Sequence, residues 1–261
     1  GKDSLALIEL MGRRAKIHVP KFTVKAVHVR VTERNYLTDI SLLEDFCRQW
    51  DVPLIVADTQ IGEEKGDKDP CFLCSWNRRK ALFTLAQELG CNNIACGHHQ
   101  DDILHTALMN ITFEGTFSTM PILLKMKKMR LTLIRPLALC SKNDINAYAE
   151  KHNYLKQKEA CPYEQTTKRK AVSELFPQIE QLNPEARHSI WHALEKANKL
   201  NLLVTPSCQQ HVLPITTIIE YRQFLLRNIL MYHTEVGPMR YPKCIFHFTF
   251  ANRCTSEDIV L

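Results

Sequence analysis

Two short groups of residues in this sequence could bind phosphate. Gly1-Lys2-Asp3-Ser4 runs directly into apolar residues at helical spacing, Leu5, Leu7, Ile8 and Met11. A helix that opens this way offers backbone N–H groups and the positive end of its dipole to an anion, while glycine permits close approach and lysine adds a point charge. Taken alone, the tetrapeptide reads better as a helix start capped by Asp3 or Ser4. The second group, Gly97-His98-His99-Gln100-Asp101-Asp102, follows Cys91–Cys96, an apolar stretch that reads as a short buried strand. Ligands of open α/β sheets bind at the carboxyl ends of strands, and adjacent aspartates there can hold Mg2+ on a nucleotide's phosphates. The bland alternative is that Asp101 and Asp102 favour the dipole of a helix starting near Ile103, with the histidines as loop residues. Both groups in one chain favour a nucleotide site, in which His98 or His99 would contact adenine or phosphate.

The cysteines hold a second kind of chemistry. Of ten in the chain, Cys47 lies in an amphipathic helical pattern, Cys96 in a core strand and Cys140 just before a helix start. Isolated thiols of this kind behave as small hydrophobes in a reducing compartment. Cys71 and Cys74 stand three apart at the expected start of a helix, which puts both sulfurs on one face. A helix amino terminus with Arg78, Arg79 and Lys80 nearby favours thiolates. Cys161 sits in Ala-Cys-Pro-Tyr-Glu, where the proline keeps it extended in a loop. Three cysteines fit a [4Fe–4S] cluster with one iron open to an exogenous sulfide. They also fit zinc with a fourth ligand, a redox pair carrying a persulfide, or two helix-start thiols and an unrelated loop thiol.

These residues need elements to position them. Lys21–Val31 and Val52–Ala57 read as strands. Between them Ile40–Trp50 reads as a helix with Leu42, Leu43, Phe46 and Trp50 on one side. A charged loop, Gln60–Pro70, precedes a long helix, Phe72–Leu89, then strand Asn93–Cys96 and helix Ile103–Phe113. Thr116–Lys128 reads as a loop and Leu131–Leu139 as a final strand. Ser141 and Asp144 form a capping box for the next helix. Lys168–Gln181 and Pro184–Leu200 read as helices, the second capped by Asn183 with Pro184 in its first position. The alternation predicts an α/β fold with a doubly wound parallel sheet. In residues 201–261 the runs Ile215–Met231 and Cys244–Phe250 could form a helix and a strand, without a sustained period.

Composition sets bounds. The 261 residues, 45% of them apolar, suit one large α/β domain or a domain with an appendage. A net charge of +6 is compatible with a nucleic-acid partner. Arg78-Arg79-Lys80, Lys125 to Arg130 and Lys168-Arg169-Lys170 could track an RNA backbone, although each alone is more often a solvated face. No stretch approaches a membrane span in length, and no signal peptide is visible.

Taken together, these motifs resemble a known family. Gly1–Ser4 is similar to the end of the Ser-Gly-Gly-x-Asp-Ser loop of the PP-loop ATP pyrophosphatases, and Gly97–Asp102 resembles their Gly-His-x-x-Asp-Asp segment. Within that superfamily, Pro70-Cys71-Phe72-Leu73-Cys74, Cys161 and Ile134-Arg135-Pro136-Leu137 resemble the tRNA 2-thiocytidine synthetases. The resemblance covers about residues 1 to 200. It implies an adenine nucleotide alpha hydrolase-like PP-loop fold with helical C-terminal additions, residues 1–200 forming the ATP-binding tRNA-thiolation domain and 201–261 an unassigned tail. A strand and a Ser-Gly pair would belong ahead of Gly1. Gly1, Lys2, Asp3, Ser4, Gly97, His98, Asp101 and Asp102 would bind ATP with Mg2+. Cys71, Cys74 and Cys161 would be catalytic and hold a [4Fe–4S] cluster, iron–sulfur being favoured over zinc. Arg78, Arg79, Lys80, Lys168, Arg169 and Lys170 would bind RNA. The family's later segment often repeats Cys-x-x-Cys; here Glu164 stands in the second place, which argues against a fourth cysteine ligand from this segment.

The implied activity is an ATP-dependent tRNA sulfurtransferase, which adenylates C2 of an anticodon-loop cytidine and replaces its oxygen with sulfur. Implied partners are the tRNA anticodon loop, a sulfur donor such as a cysteine desulfurase system, and a second copy in a homodimer, in the cytoplasm and away from membranes. Two rivals stand beside it. A lysidine-synthetase-like tRNA ligase would use the same loop without the cysteine trio. A non-catalytic RNA- or nucleotide-binding remnant would need neither cysteines nor a reaction.

Overall fold

Alternating runs of β-branched and amphipathic residues build a six-stranded sheet in this computed structural model. It describes residues 1–18, 21–33, 38–60, 70–154, 168–201 and 257–261. The strands are β1 (Phe22–Val31), β2 (Leu54–Thr59), β3 (Asn93–Ala95), β4 (Leu123–Lys125), β5 (Thr132–Ile134) and β6 (Glu257–Val260). Their order across the sheet is β2-β1-β6-β3-β5-β4. Every pairing is parallel except β4 with β5. The helices are α1 (Lys2–Ile17), α2 (Ile40–Gln49), α3 (Pro70–Glu88), α4 (Gln100–Glu114), α5 (Lys142–Lys151), α6 (Lys168–Leu182) and α7 (Ala186–Lys196).

Successive strand residues point to opposite faces, and the two faces have separate cores. On one, Ala6, Leu7, Ile8 and Met11 of α1 pack with Val24, Cys47, Ala95, Ile145 and Ile259. On the other, Ala86 of α3 packs with Cys91, Ile94, Leu131 and Val260. The neighbours Ile94/Ala95 and Ile259/Val260 divide between these cores, as a strand covered on both faces must. A third cluster joins Ile103, Leu104 and Ala107 of α4 to Phe176, Trp191 and Leu194 of α6 and α7.

Helix α1 is fixed from two sides. Gly12 lies so close to the end of α2 that an added Cβ would come within 2.8 Å of Trp50 Cβ and its carbonyl oxygen. Glu9, only 1% exposed, accepts hydrogen bonds from Tyr148 Oη at 2.7 Å and Tyr154 Oη at 2.6 Å. Arg13 closes a 2.7 Å ion pair with it and lies over the Trp50 ring. A buried carboxylate is tolerable only when satisfied in this way. Burial, then the bond to Glu9, raises both phenol pKa values, so both tyrosines remain donors.

Several boundaries differ from the sequence expectation. The expected loop Thr116–Lys128 contains β4, whose three residues are too few to show a period. The expected strand Leu131–Leu139 is paired only over Thr132–Ile134, because turns begin at Pro136. Leu42 is 39% exposed rather than packed, while Phe46 and Trp50 pack against the core as expected, beside the fully buried Cys47. Asn183 is not the cap of α7: the helix starts at Ala186 with Glu185 in the cap position, and the Asn183 side chain accepts from the Glu185 amide at 3.0 Å in the preceding turn. The Ser141–Asp144 capping box is present. Residues 61–69 of the expected charged loop, the runs Ile215–Met231 and Cys244–Phe250, Cys161 and Glu164 lie outside the described residues, and Pro70 opens α3.

Candidate nucleotide-binding site

Helix α1 begins at Lys2 with Gly1 as its cap, and the Gly1 carbonyl accepts from the Ser4 and Leu5 amides at 3.1 and 3.2 Å. The amino end of a helix carries N–H groups without intrahelical acceptors. Strand β3 delivers Gly97 directly onto this end. A Cβ on Gly97 would stand 3.2 Å from the Asp3 carbonyl oxygen and 3.4 Å from the Ser4 nitrogen. Glycine is therefore what allows the approach, and the two groups singled out from sequence form one place at the carboxyl edge of the sheet. Lys2 Nζ pairs with Asp3 Oδ1 at 2.5 Å, both side chains about a third exposed.

Beyond Gly97 the acidic pair divides its work. Asp101 is buried. Its Oδ1 accepts from Arg187 Nη2 at 2.8 Å and its Oδ2 from the Lys142 amide at 2.6 Å. Burial raises this carboxyl's pKa, but the bonds to Arg187 and Lys142 outweigh it, and the net shift is downward. Arg187 also bonds Glu180 at 3.0 Å and lies over the Phe176 ring. Asp101 is thus a junction between α4, α5, α6 and α7, with both oxygens engaged. Asp102 accepts from the His99 amide through Oδ2 at 3.0 Å, and its Oδ1 faces Arg169 at 3.5 Å.

The edge is ringed by cations. His28 on β1 is held neutral by burial, then by Arg78. The pKa of His98 is pushed down to about 4 by burial and then by Arg135, with Asp102 acting in the opposite sense and Arg169 adding to the drop. Burial raises the Cys96 thiol pKa against the pull of Arg135 and Arg79. Four arginines from α3, α6 and the turn after β5 therefore act on side chains around one helix end, as a polyanion site requires. Arg135 is buried and donates through Nη1 to the Pro121 carbonyl. Arg135 Nε, His98 Nδ1 and His28 Nε2 have no hydrogen-bond partner among the described residues. Sequence reading used Arg135 only as part of a resemblance and missed His28 altogether, since neither stands in a phosphate-binding pattern.

The basic groups separate on inspection. Arg169 turns to Asp102, whereas Lys168 lies over the Phe113 ring at 5.0 Å and Lys170 pairs with Glu174 at 3.8 Å. Arg79 bonds the Ser75 carbonyl at 3.1 Å, and Lys80 lies 5.4 Å from the centre of the Trp76 ring. Phe72 and Trp76, one turn apart on α3, are 51% and 49% exposed. Cys71 and Cys74 are half-buried thiols in the first turns of the same helix. Among the described residues no group of three metal-ligating side chains converges, the expected third cysteine being Cys161. No described helix is long and apolar enough to cross a membrane.

The fold is an α/β protein with a helix amino end at the edge of a largely parallel sheet, and comparison with known proteins gives this class its name. A PP-loop domain model matches residues 1–179, and the chain belongs to the PP-loop family. Its relatives there include the tRNA-cytidine(32) 2-sulfurtransferase of Pseudomonas putida (strain W619), 30% identical over 201 residues, covering 75% of this chain and 73% of the relative. The enzyme of the same name from Cupriavidus taiwanensis is 34% identical over 200 residues, 74% of this chain and 64% of that one. Among solved structures, the U34-tRNA thiolase NcsA from Methanococcus maripaludis with its [4Fe-4S] cluster shares the fold, with a TM-score of 0.64 and 23% identity over 86% of this chain and 79% of that one.

Proposed function

We propose that this protein is an ATP-dependent tRNA sulfurtransferase that converts an anticodon-loop cytidine to 2-thiocytidine. The observation that carries the reading is the closure of Gly97 onto Asp3 and Ser4, which joins both halves of a nucleotide site inside a ring of arginines. The names of the relatives support the substrate. In the reaction, the cytidine O2 attacks the α-phosphorus of ATP, pyrophosphate leaves, and sulfur then displaces AMP from C2. The amino end of α1 and Lys2 would bind phosphate, and Arg78, Arg135 and Arg169 would offset the charge that gathers on departing pyrophosphate. Neutral His98 would present a hydrogen bond without adding charge.

Mg2+ fits one carboxylate here better than two. Asp102 Oδ1 has a 3.5 Å ion pair with Arg169 and, among the described residues, no hydrogen bond, while both oxygens of Asp101 accept one, and Mg2+ on a nucleotide needs only one or two carboxylates beside the phosphates. Cys71 and Cys74 suit two ligands of a three-cysteine cluster with Cys161 as the third: they stand at i and i+3 in the first turns of α3, half-buried. Such a cluster would supply an iron with room for sulfide. Phe72 and Trp76 beside them suit stacking with unpaired anticodon-loop bases.

The test is anaerobic incubation with ATP, Mg2+, sulfide and an anticodon stem-loop RNA. One AMP and one pyrophosphate should appear for each cytidine that gains sulfur, read by mass spectrometry of the RNA. Pyrophosphate release with lysine joined to the RNA would favour the lysidine-type ligase. No release at all would leave a nucleotide- or RNA-binding protein.

A further inference from the structure

At two places outside the nucleotide edge an aromatic ring stands in the open with a lysine over it. On α3, Phe72, Ser75, Trp76, Arg79 and Lys80 are all exposed and share one helical stripe. Such a stripe is normally polar, yet this one carries two aromatic rings, and Lys80 Nζ lies 5.4 Å from the centre of the Trp76 ring. Residues 70–87 contain three cations, Arg78, Arg79 and Lys80, and no acid. The second place is the carboxyl end of α4. Residues 111–117 are exposed throughout, Phe113 to 50%, and Lys168 of α6 lies 5.0 Å from the centre of the Phe113 ring. This helix end is braced by its own hydrogen bonds. Gly115 closes it in a left-handed conformation, the Thr116 amide donates to the Asn110 carbonyl at 2.9 Å, and Asn110 Nδ2 donates to the Ser118 carbonyl at 2.9 Å. Phe113 is therefore presented to solvent on a preorganised surface.

Each ring is tied to the nucleotide edge by a neighbouring arginine. Arg78 and Arg79 stand between Trp76 and Lys80 in the chain, and they act on His28 and Cys96 at that edge. Arg169 follows Lys168 and reaches Asp102 at 3.5 Å. A ring backed by a cation on one face can take a nucleobase on the other, with positive charge at hand for the phosphate. The charge balance favours RNA over a second copy of this chain, which at net charge +6 would bring further cations to both places.

We propose that Trp76 with Lys80, on α3, and Phe113 with Lys168, where α4 meets α6, are two separate stacking platforms for the unpaired RNA bases on either side of the nucleotide that reacts. An enzyme reaches a base only after that base has left its stack. Its neighbours then lose a stacking partner, and the two rings replace it. The proposal rests on the RNA-modifying reading given above. It deepens that reading by giving Phe113 and Lys168 a contact made by stacking, where the basic group on α6 alone offers only charge.

The experiment titrates the full chain with an anticodon stem-loop RNA, read by tryptophan fluorescence and calorimetry. Trp76 is half-exposed and Trp191 buried, so the RNA should quench the parent's emission, and Trp76→Phe should lose most of that quenching. Adding Phe113→Trp to the Trp76→Phe variant should restore it from the second platform. Trp76→Leu and Phe113→Leu should each weaken binding about tenfold, and together about a hundredfold, because separate sites add. Both rings are half-exposed, so melting should not change. Leu182→Ser, at an exposed position of α6, should leave RNA affinity alone, and a fully paired duplex should bind the parent and both leucine variants alike. Parent-like affinity for the stem-loop in either leucine variant, or no RNA binding by the parent, would overturn the proposal. So would a Phe113→Leu variant that stops self-associating but keeps its RNA affinity, because the surface would then belong to a second copy. Thiolated RNA made by leucine variants that bind normally would remove the platforms and leave the sulfurtransferase reading standing. RNA that binds, quenches and discriminates as described but gains no sulfur would uphold the platforms and count against that reading.

Discussion

Replacing Gly97 with alanine tests the centre of the site with a single methyl group. The added carbon would lie 3.2 Å from the Asp3 carbonyl oxygen, 3.3 Å from its carbon and 3.4 Å from the Ser4 nitrogen. Ordinary contact begins a few tenths of an ångström further out. The neighbour is the backbone of a helix end, not a flexible side chain, so α1 itself must shift. Overpacking costs about 1–3 kcal/mol, and a clash this small belongs at the lower end. Gly97→Ala should therefore lower the melting temperature by only about 2–4 °C. ATP binding should suffer more, by about tenfold or about 1.4 kcal/mol, because the groups that move are those that meet the phosphate. Gly12→Ala is the control. Its methyl would come within 2.8 Å of Trp50, so stability should fall at least as far while ATP affinity in the folded protein changes less. Calorimetric titration with ATP and a thermal melt of each variant supply both readings. Wild-type ATP affinity in a folded Gly97→Ala variant would refute the placement of phosphate at the amino end of α1.

The two aspartates should part company. Asp102→Ala should slow Mg2+-dependent pyrophosphate release by about a hundredfold or more while costing only about 1 kcal/mol for the lost bond from the His99 amide, whereas Asp101→Ala should cost more, up to about 3 kcal/mol, by stranding the Lys142 amide and unpairing Arg187; equal effects on both readouts would contradict this division. Cys71→Ser, Cys74→Ser and Cys161→Ser should each abolish iron content and sulfur transfer while sparing ATP binding, and full iron in the Cys161 variant would end the three-ligand cluster. Cys47→Ala, Cys96→Ala and Cys140→Ala should cost only about 1 kcal/mol of stability. Within the α6 basic group, Lys168→Ala with Lys170→Ala should flatten the salt dependence of tRNA binding, and Arg169→Ala should weaken ATP instead; a salt slope unchanged by the lysine pair would put the RNA elsewhere. His98 titrates near 4 in the folded protein and near 6.5 unfolded, so the unfolded chain binds the extra proton and stability should fall as pH drops from 6.5 towards 4. His98→Asn should flatten that limb of the profile, and an identical acid limb in the variant would show that other groups carry it.

What could be read in the sequence was local. The Ser141–Asp144 box spans three residues and depends on nothing outside them. The helix start at Lys2 and the strand aimed at Gly97 were equally legible, because glycine and an apolar run announce their own geometry. β4 escaped because Leu123-Leu124-Lys125 is too short to show alternation, and its strand form comes from pairing with β5. β6 escaped for the same reason, with its partners far away in the chain. In the site, the residue types were legible but their assignments were not. Nothing in Asp101-Asp102 tells which carboxylate Arg187 will take, and nothing in Lys168-Arg169-Lys170 marks the middle residue as the one that meets Asp102. Those choices are made by contacts between residues far apart in sequence, which no local pattern carries.

The central position of β6 also sets the order in which this protein can be made. Phe22 pairs with Glu257, and Ile94 with Val260, so the middle of the sheet cannot close until residues 257–260, more than 160 positions after β3, have left the ribosome. Until then β1 and β3 have two open edges and both cores lack a wall. Pairings this distant slow folding, because the entropy of closing the long loop is lost before any contact rewards it. Open strand edges in such an intermediate invite pairing with other chains. A nascent chain of this protein therefore depends on holding its half-built sheet apart from its neighbours, and its yield in the cell should follow chaperone supply more closely than the stability of the finished fold.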